Sequence, residues 1–262
     1  MGRSRGRRTE PQGIVPFEME LTDAVDEVTA RAGLPVVLET LRALEVDRAV
    51  AREVRIRQRR AGYRETEMVE ALVLLLAAGG ECADDMATLG ADKGLLTLLG
   101  TPALPSPDAV LQFLHAFHDE ALLAQARAAL PPDETALVAP ESAPLAGLGR
   151  VLEHVVARVQ QHRPGDTATL EMDATLIESH KREALPHYQG GRGYQPAVVH
   201  WVEQDLVVAD QFRDGNVPAG KEPLSVVARA FAALPAGVTT RRFRADSAAY
   251  ERETLQWLVD PA

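Results

Sequence analysis

Cysteine and long hydrophobic runs are nearly absent from this sequence. Cys82 is its only cysteine, which excludes a disulfide framework within the chain. The longest apolar stretch, residues 71–78, is far shorter than the ~20 residues that a membrane-spanning helix needs. The basic N-terminus continues into Glu10 and Pro11 rather than into the apolar segment of a secretory signal. We therefore expect a cytoplasmic protein with no membrane role.

An excess of positive charge is also lacking. The formal net charge is -10 at pH 7, which argues against indiscriminate binding of nucleic acid, because that binding is driven by cations that displace counterions from phosphates. Arginine is concentrated near the start, since residues 1–60 hold 12 arginines and 10 acidic residues, whereas residues 61–165 hold 6 basic and 14 acidic residues. An ordinary solvated surface explains this pattern as well as a DNA contact does.

The first part of the chain has helical periodicity. Residues 35–60 are predicted to form one amphipathic helix with four arginines along one stripe: Arg48, Arg52, Arg55 and Arg59. Three further helices are predicted over Glu67–Ala78, residues 109–130 and Leu148–Gln161. Residues 131–146 are rich in proline, alanine and acids and are predicted to form a linker. We place a domain boundary near residue 165, after a helical region of residues 1–165.

Residues 166–262 show the two-residue alternation of strands. The segments ATLEMDATLI, AVVHWVEQ and LVVADQFR predict three consecutive strands. A helix from Pro223 to Leu234, a strand through TTRRFRADS and a helix from about Tyr250 to Leu258 follow. This is the opening order of an RNase H-like domain, a mixed sheet flanked by helices. The fold class predicted for the whole chain is thus α plus α/β.

Two aspartates are candidate metal-binding residues. Asp173 lies within the first predicted strand and Asp246 at the end of the last one. If these strands are parallel neighbours, the two carboxylates meet, and they need Mg²⁺ or Mn²⁺ to offset their mutual repulsion. Two such ions activate a nucleophile and stabilise the leaving oxygen in phosphodiester cleavage. The alternative is that each aspartate only caps a turn.

An ordered set of motifs favours the first interpretation: MDAT, ESHKREALPHYQGGRGYQP, FRDGN and FRADS. In this order the motifs resemble the DDE transposases of bacterial insertion sequences, in particular the thirteen-eighty family. The resemblance implies that Asp173 and Asp246 are catalytic metal ligands for two Mg²⁺ or Mn²⁺ ions. It also implies double-stranded DNA partners, namely terminal inverted repeats and target DNA, a homodimer and a nucleoid-associated location.

The resemblance assigns DNA recognition to the helical region. The expected phosphate contacts in that region are Arg48, Arg52, Arg55, Arg59 and Arg60. Beside the aspartates, a second expected set is Arg241, Arg242 and Arg244, and two more candidates lie in the FRDGN turn, Arg213 and Asn216. The glycines of the motifs, among them Gly193 and Gly215, are equally explained by tight turns that touch no substrate.

A DDE site also needs a glutamate from a downstream helix. The chain ends at Ala262, sixteen residues after Asp246, and we do not expect Glu251 or Glu253 to replace that glutamate, because a helix starting there carries them away from the strand end. The sequence thus predicts an incomplete RNase H-like domain and a truncated transposase that is inactive by itself. The alternative function is that of a non-catalytic DNA-binding remnant, which acts as a repressor or dominant-negative partner of an intact copy. A third possible function is that of an unrelated RNase H-like nuclease.

Overall fold

The computed structural model describes residues 28–57 and 62–259. These residues form two compact units, one reaching His118 and the other starting at Asp119. The boundary between the compact units thus lies before residue 165. The predicted boundary between a DNA-binding region and a catalytic domain near residue 165 stays a prediction. None of the helices in the described ranges has both the length and the apolar character that crossing a bilayer requires.

The described part of the first unit is helical. Its helices are α1 (Leu34–Ala43), α2 (Val46–Glu53), α3 (Glu65–Ala77), α4 (Asp85–Gly90), α5 (Lys93–Leu99) and α6 (Pro107–His115). Four apolar side chains of α3, Met68, Ala71, Leu74 and Leu75, are buried in the core that this unit forms. The predicted second helix is confirmed. It ends at two glycines, where Gly79 adopts a φ of 83° and Gly80 donates its amide to the Leu75 carbonyl at 2.9 Å.

The single helix predicted over residues 35–60 is wrong. The chain breaks at Glu45, whose φ is 55°, and α2 ends where Val54 becomes extended. The break has a packing reason. At 3.6 residues per turn, Val46 would lie roughly 120° around a continuous helix from Leu34, yet both are buried. A second helix axis lets each side chain reach the core. Arg48, Arg52 and Arg55 therefore do not lie on one continuous helix as predicted, and Arg59 lies outside the described residues.

The helix predicted over residues 109–130 is two helices. α6 begins where Ser106 Oγ accepts a hydrogen bond from the Ala109 amide at 3.2 Å, as predicted. It stops at His115, and α7 (Glu120–Ala128) begins after Asp119, whose carboxylate accepts from the Leu122 amide at 3.0 Å. Asp119 therefore acts as a new helix start, which periodicity alone did not reveal.

The second unit contains a mixed sheet. Besides α7 it contains α8 (Ala143–His162), α9 (Pro223–Ala232), α10 (Arg252–Val259), β1 (Thr167–Ala174), β2 (Ile177–Glu178), β3 (Leu185–Pro186), β4 (Arg192–Tyr194), β5 (Ala197–Trp201), β6 (Leu206–Gln211) and β7 (Thr240–Ala245). The four-stranded sheet has the order β6-β5-β1-β7. β1 is antiparallel to β5 and parallel to β7. For the strands of the four-stranded sheet, the predicted order of three strands, helix, strand and helix is confirmed, but three short strands, β2 to β4, lie between β1 and β5 in the chain.

The two faces of this sheet differ in polarity. On one face Ala168, Leu170 and Met172 of β1 are buried and belong to the same core as Val226 and Val227 of α9. The opposite face of β1 alternates with them and carries Thr169, Glu171 and Asp173. The sheet thus separates an apolar core from a polar surface, and the aspartate belongs to the polar surface.

Glu203 completes the β1 ladder beyond the end of β5. β5 pairs with β1 only from Leu170 onward, and the chain then turns through a short 3-10 helix, Val202–Gln204. The Glu203 carboxylate accepts hydrogen bonds from the Thr169 amide at 2.7 Å and the Thr169 hydroxyl at 2.6 Å. Burial raises the pKa of Glu203, but these hydrogen bonds and the nearby Arg242 outweigh it, so the pKa lies below its usual value.

We expect Glu203→Ala to lower the free energy of unfolding by about 1 kcal/mol at neutral pH, because two hydrogen bonds to a charged group are lost. A depressed folded-state pKa stabilises the fold above the unfolded-state pKa of about 4.3. That stabilisation disappears as the pH falls through the folded-state value. Denaturant melts of both proteins at pH 7 and in acid test this, and a gap that widens in acid would contradict it.

Candidate functional site

Asp173 and Asp246 lie at the same end of two neighbouring strands. β1 and β7 pair in parallel up to Met172 and Ala245. One further step along both strands reaches Asp173, still within β1, and Asp246, directly after β7. Because side chains at paired positions of parallel strands share a face, both carboxylates belong to the polar face of the sheet. The structure therefore brings the two predicted site residues together.

Both aspartates are exposed at the sheet edge. One Asp173 carboxylate oxygen accepts a hydrogen bond from the Ala174 amide at 2.8 Å, which fixes the side chain near the strand end. Two carboxylates placed side by side repel each other, and a divalent cation with a preference for oxygen ligands offsets that repulsion. The donor set of the pair suits Mg²⁺ or Mn²⁺. Within residues 28–57 and 62–259, no cluster of three or more acidic, histidine or cysteine side chains is arranged as a metal site.

The next pair of residues along the same face is an ion pair. Glu171 lies opposite Arg244 in the β1–β7 register, and the Arg244 guanidinium contacts the Glu171 carboxylate. This contact offsets the charge of Glu171, which lies two residues before Asp173 on the same face of β1. Arg242 also lies on this face, where it lowers the pKa of Glu203. Arg241 alternates to the opposite face, so the three predicted arginines of β7 do not form one surface.

Glu251 is engaged as a helix cap. Its carboxylate accepts from the amides of Glu253 and Thr254 at 2.7 and 2.8 Å and from the Thr254 hydroxyl at 3.0 Å. The amide hydrogen bond from Glu253, followed by that from Thr254, lowers the pKa of Glu251. These contacts assign Glu251 to the start of α10 rather than to the aspartate pair.

The arginines predicted as DNA contacts in the helical region are arranged differently from the prediction. Arg48 and Arg52 lie one turn apart on α2 and each contacts an acid, Glu45 and Glu53 respectively. Arg55 is exposed in the extended segment after α2. The two other predicted contacts, Arg59 and Arg60, lie outside the described residues. Neighbouring carboxylates therefore offset part of the charge of Arg48 and Arg52.

Arg213 is fully buried, which departs from its predicted contact with DNA. Its guanidinium donates to Gln211 Oε1 at 2.8 and 2.6 Å and to the carbonyl of Ala219 at 3.2 Å. Asn216 donates its amide to the Thr135 carbonyl at 2.9 Å and so holds the segment before α8. In this conformation both side chains position the loop after β6.

The glycine motifs form one packed unit that the sequence did not reveal. β2, β4 and β3 make a small antiparallel sheet in that order. The turn after β6 packs on it, since Gly215 donates its amide to the Gly193 carbonyl at 3.0 Å and the Gln195 amide donates to the Arg213 carbonyl at 2.9 Å. The signals in the sequence were the motifs Arg-Gly-Tyr at residues 192–194 and Arg-Asp-Gly at residues 213–215, and neither indicates a pairing partner.

The sequence was also compared with known proteins. A family model described as transposase DDE domain group 1 matches residues 18–261. No curated protein matches the chain. The matched range spans nearly the whole sequence and includes both aspartates, so the chain belongs to the transposase DDE domain group 1 family.

Proposed function

We propose that the protein cleaves DNA at the terminal inverted repeats of an insertion sequence and joins the cut strands to target DNA. The observation that carries this proposal is the register of β1 and β7, which brings Asp173 and Asp246 together at one sheet edge. The family membership supplies DNA as the substrate class and transposition as the process. Within that family, the motif order supports assignment to the thirteen-eighty insertion sequences, and the proposal includes a homodimer.

The sheet topology supports an RNase H-like catalytic domain. Three antiparallel strands in the order β6-β5-β1, followed by a helix and by β7 parallel to β1, are what such a domain requires of its first four strands. A helical region precedes this sheet and carries the exposed arginines. We assign repeat recognition to that region and strand cleavage to the sheet edge.

Asp173 and Asp246 would hold the divalent ions in this proposal. Bound Mg²⁺ or Mn²⁺ supplies an activated nucleophile and charge stabilisation at the leaving oxygen. The chain itself fixes the position of both carboxylates through the β1–β7 ladder. The Arg244 contact with Glu171 keeps a third nearby carboxylate from adding to the negative charge beside the pair. A DDE site takes its third carboxylate from a glutamate. The proposal assigns only the two aspartates and names no residue for this third position.

Nicking of a labelled inverted-repeat duplex tests the function. The 262-residue chain is incubated with the duplex in Mg²⁺, in Mn²⁺ and in EDTA. Nicking at the repeat end that requires the metal supports the proposal, and it would contradict the prediction that the 262-residue chain is inactive by itself. Binding of the repeat without metal-dependent nicking would instead favour the alternative, a DNA-binding protein that represses an intact copy. Cleavage that ignores the repeat sequence would favour an unrelated nuclease.

We expect Arg55→Ala to weaken duplex binding more than Arg48→Ala does. Arg48 contacts Glu45, whereas Arg55 is exposed in an extended segment, so Arg55 contributes more to the local positive charge. Loss of one phosphate contact lowers the slope of log K against log salt by about 0.9 on duplex DNA. Fluorescence anisotropy at several salt concentrations measures both slopes. Equal slopes for the two variants would contradict this ranking.

A further inference from the structure

The small sheet β2-β4-β3 follows the strand that carries Asp173, although the proposed cleavage gives it no role. β2 starts at Ile177, shortly after β1 ends at Ala174. The Thr175 amide donates to the Pro196 carbonyl at 3.0 Å, which continues the pairing of β1 with β5 past Asp173. The small sheet therefore extends from the edge of the large sheet at which both aspartates lie.

The tip of this small sheet presents an aromatic ring to solvent. Tyr188 lies in the turn between β3 and β4 and is 76% exposed. Its hydroxyl accepts a hydrogen bond from Gln189 Nε2 at 2.9 Å, which restrains the side chain at the surface. An aromatic ring held in this way offers a surface on which a planar group can stack.

Exposed basic residues lie on both sides of Tyr188 in the chain. Lys181, Arg182 and Arg192 are exposed around the hairpin, and residues 178–194 hold three lysine or arginine residues against two acidic ones in a chain of net charge -10. Arg192 donates to the Arg182 carbonyl at 2.8 Å, so the two arginines lie together. Arg182 also pairs with Glu183 at 3.4 Å, but both side chains are largely exposed and such a pair is weak.

The turn that carries Tyr188 is tightly built. His187 is buried beneath it, its Nδ1 accepts from the Gln189 amide at 3.2 Å, and its own amide donates to the Gly191 carbonyl at 3.0 Å. Gly190 has a φ of 92°, a conformation that favours glycine. A preformed turn loses little conformational entropy when it binds a ligand.

We propose that this hairpin, residues 179–192, binds single-stranded DNA. Tyr188 stacks on an unpaired base, and Lys181, Arg182 and Arg192 contact the adjacent phosphates. An aromatic ring among cations is the arrangement that binds single strands, because every base has a π-face and every nucleotide a negative charge. The inference rests on the proposed function, since it takes DNA as the substrate.

Binding of a short fluorescein-labelled oligothymidylate, measured by fluorescence anisotropy in EDTA, tests the inference. We expect Tyr188→Ala to weaken binding roughly 5- to 150-fold, because stacking contributes about 1–3 kcal/mol per base. Tyr188→Phe keeps the ring and should bind within about twofold of the unaltered chain. Replacing the three basic residues with alanine should lower the salt slope by about 2, since each contact on a single strand contributes about 0.7.

Tyr250→Ala is the matched control, because Tyr250 is 77% exposed but lies outside the hairpin. Its oligothymidylate affinity should equal that of the unaltered chain. Thermal melts of all variants show whether each is folded. If Tyr188→Ala binds as tightly as the unaltered chain, or if Tyr250→Ala loses as much affinity, the hairpin inference is wrong and the proposed function stands. If the unaltered chain binds neither single-stranded nor duplex DNA, both are overturned.

Discussion

Replacing Asp173 with asparagine is expected to abolish binding of Mn²⁺ and any metal-dependent nicking of repeat DNA. Asparagine keeps the size of the side chain and an acceptor for the Ala174 amide, but it removes the negative charge that attracts the cation. We expect a loss of nicking on the order of 1,000-fold, equivalent to about 4 kcal/mol. Asp246→Asn should show the same loss, because the β1–β7 register places the two aspartates at the same end of neighbouring strands. Isothermal titration with Mn²⁺ and the nicking assay measure the two effects separately.

Asp205→Asn provides the control for this prediction. Asp205 is an exposed acid of the same unit that contacts His200 Nε2 at 3.0 Å, at the far end of β5 from Asp173. Its substitution removes one negative charge without touching the aspartate pair. Mn²⁺ affinity and nicking should stay close to those of the unaltered chain, and duplex binding should be retained by all three variants. A Mn²⁺ site that survives Asp173→Asn would show that the ion binds elsewhere.

Gly215→Ala is expected to lower the free energy of unfolding by at least about 3 kcal/mol. A Cβ at this position would lie 2.6 Å from the Leu185 carbonyl oxygen and 2.7 Å from that of Gly193. These are backbone atoms, so the clash is relieved only by separating the turn after β6 from the small sheet. Gly193→Ala meets a tighter obstacle, the Ile177 carbonyl oxygen at 2.2 Å, and should be at least as damaging. Chemical denaturation with circular dichroism detection measures both changes.

Gly149→Ala is the matched glycine control. Gly149 lies inside α8, and nothing lies within 4 Å of the position its Cβ would take. Alanine in a helix interior is favoured over glycine by about 0.5–1 kcal/mol, so this variant should be slightly more stable than the unaltered chain. If Gly149→Ala and Gly215→Ala change the free energy of unfolding equally, close backbone contacts are not the reason for glycine at position 215.

The sequence predicted those elements whose apolar spacing is regular over their whole length. α3, α9 and β1 followed from local periodicity, because burial of one face imposes a period that is visible within a single element. The helix breaks at Glu45 and Asp119 were missed, since both sides of each break have helical periodicity. A helix ends where a new helix axis is needed for the next apolar side chains to reach the core. The position of the core depends on other elements of the fold, so it is not visible in the local sequence. The small sheet was missed because its strands are too short for alternation to be recognised.

For the candidate site too, some features could be predicted from the sequence and others depended on the tertiary structure. The order of the motifs, through its resemblance to DDE transposases, selected Asp173 and Asp246 as candidate metal ligands, whereas either aspartate alone is also explained as a turn cap. Only the tertiary structure decided that β1 and β7 pair in parallel and in register, since the pairing of strands far apart in sequence leaves no periodic trace in either one. It also decided that Arg213 is buried while Tyr188 is exposed, because burial of a polar side chain depends on the hydrogen-bond partners that the folded chain brings to it.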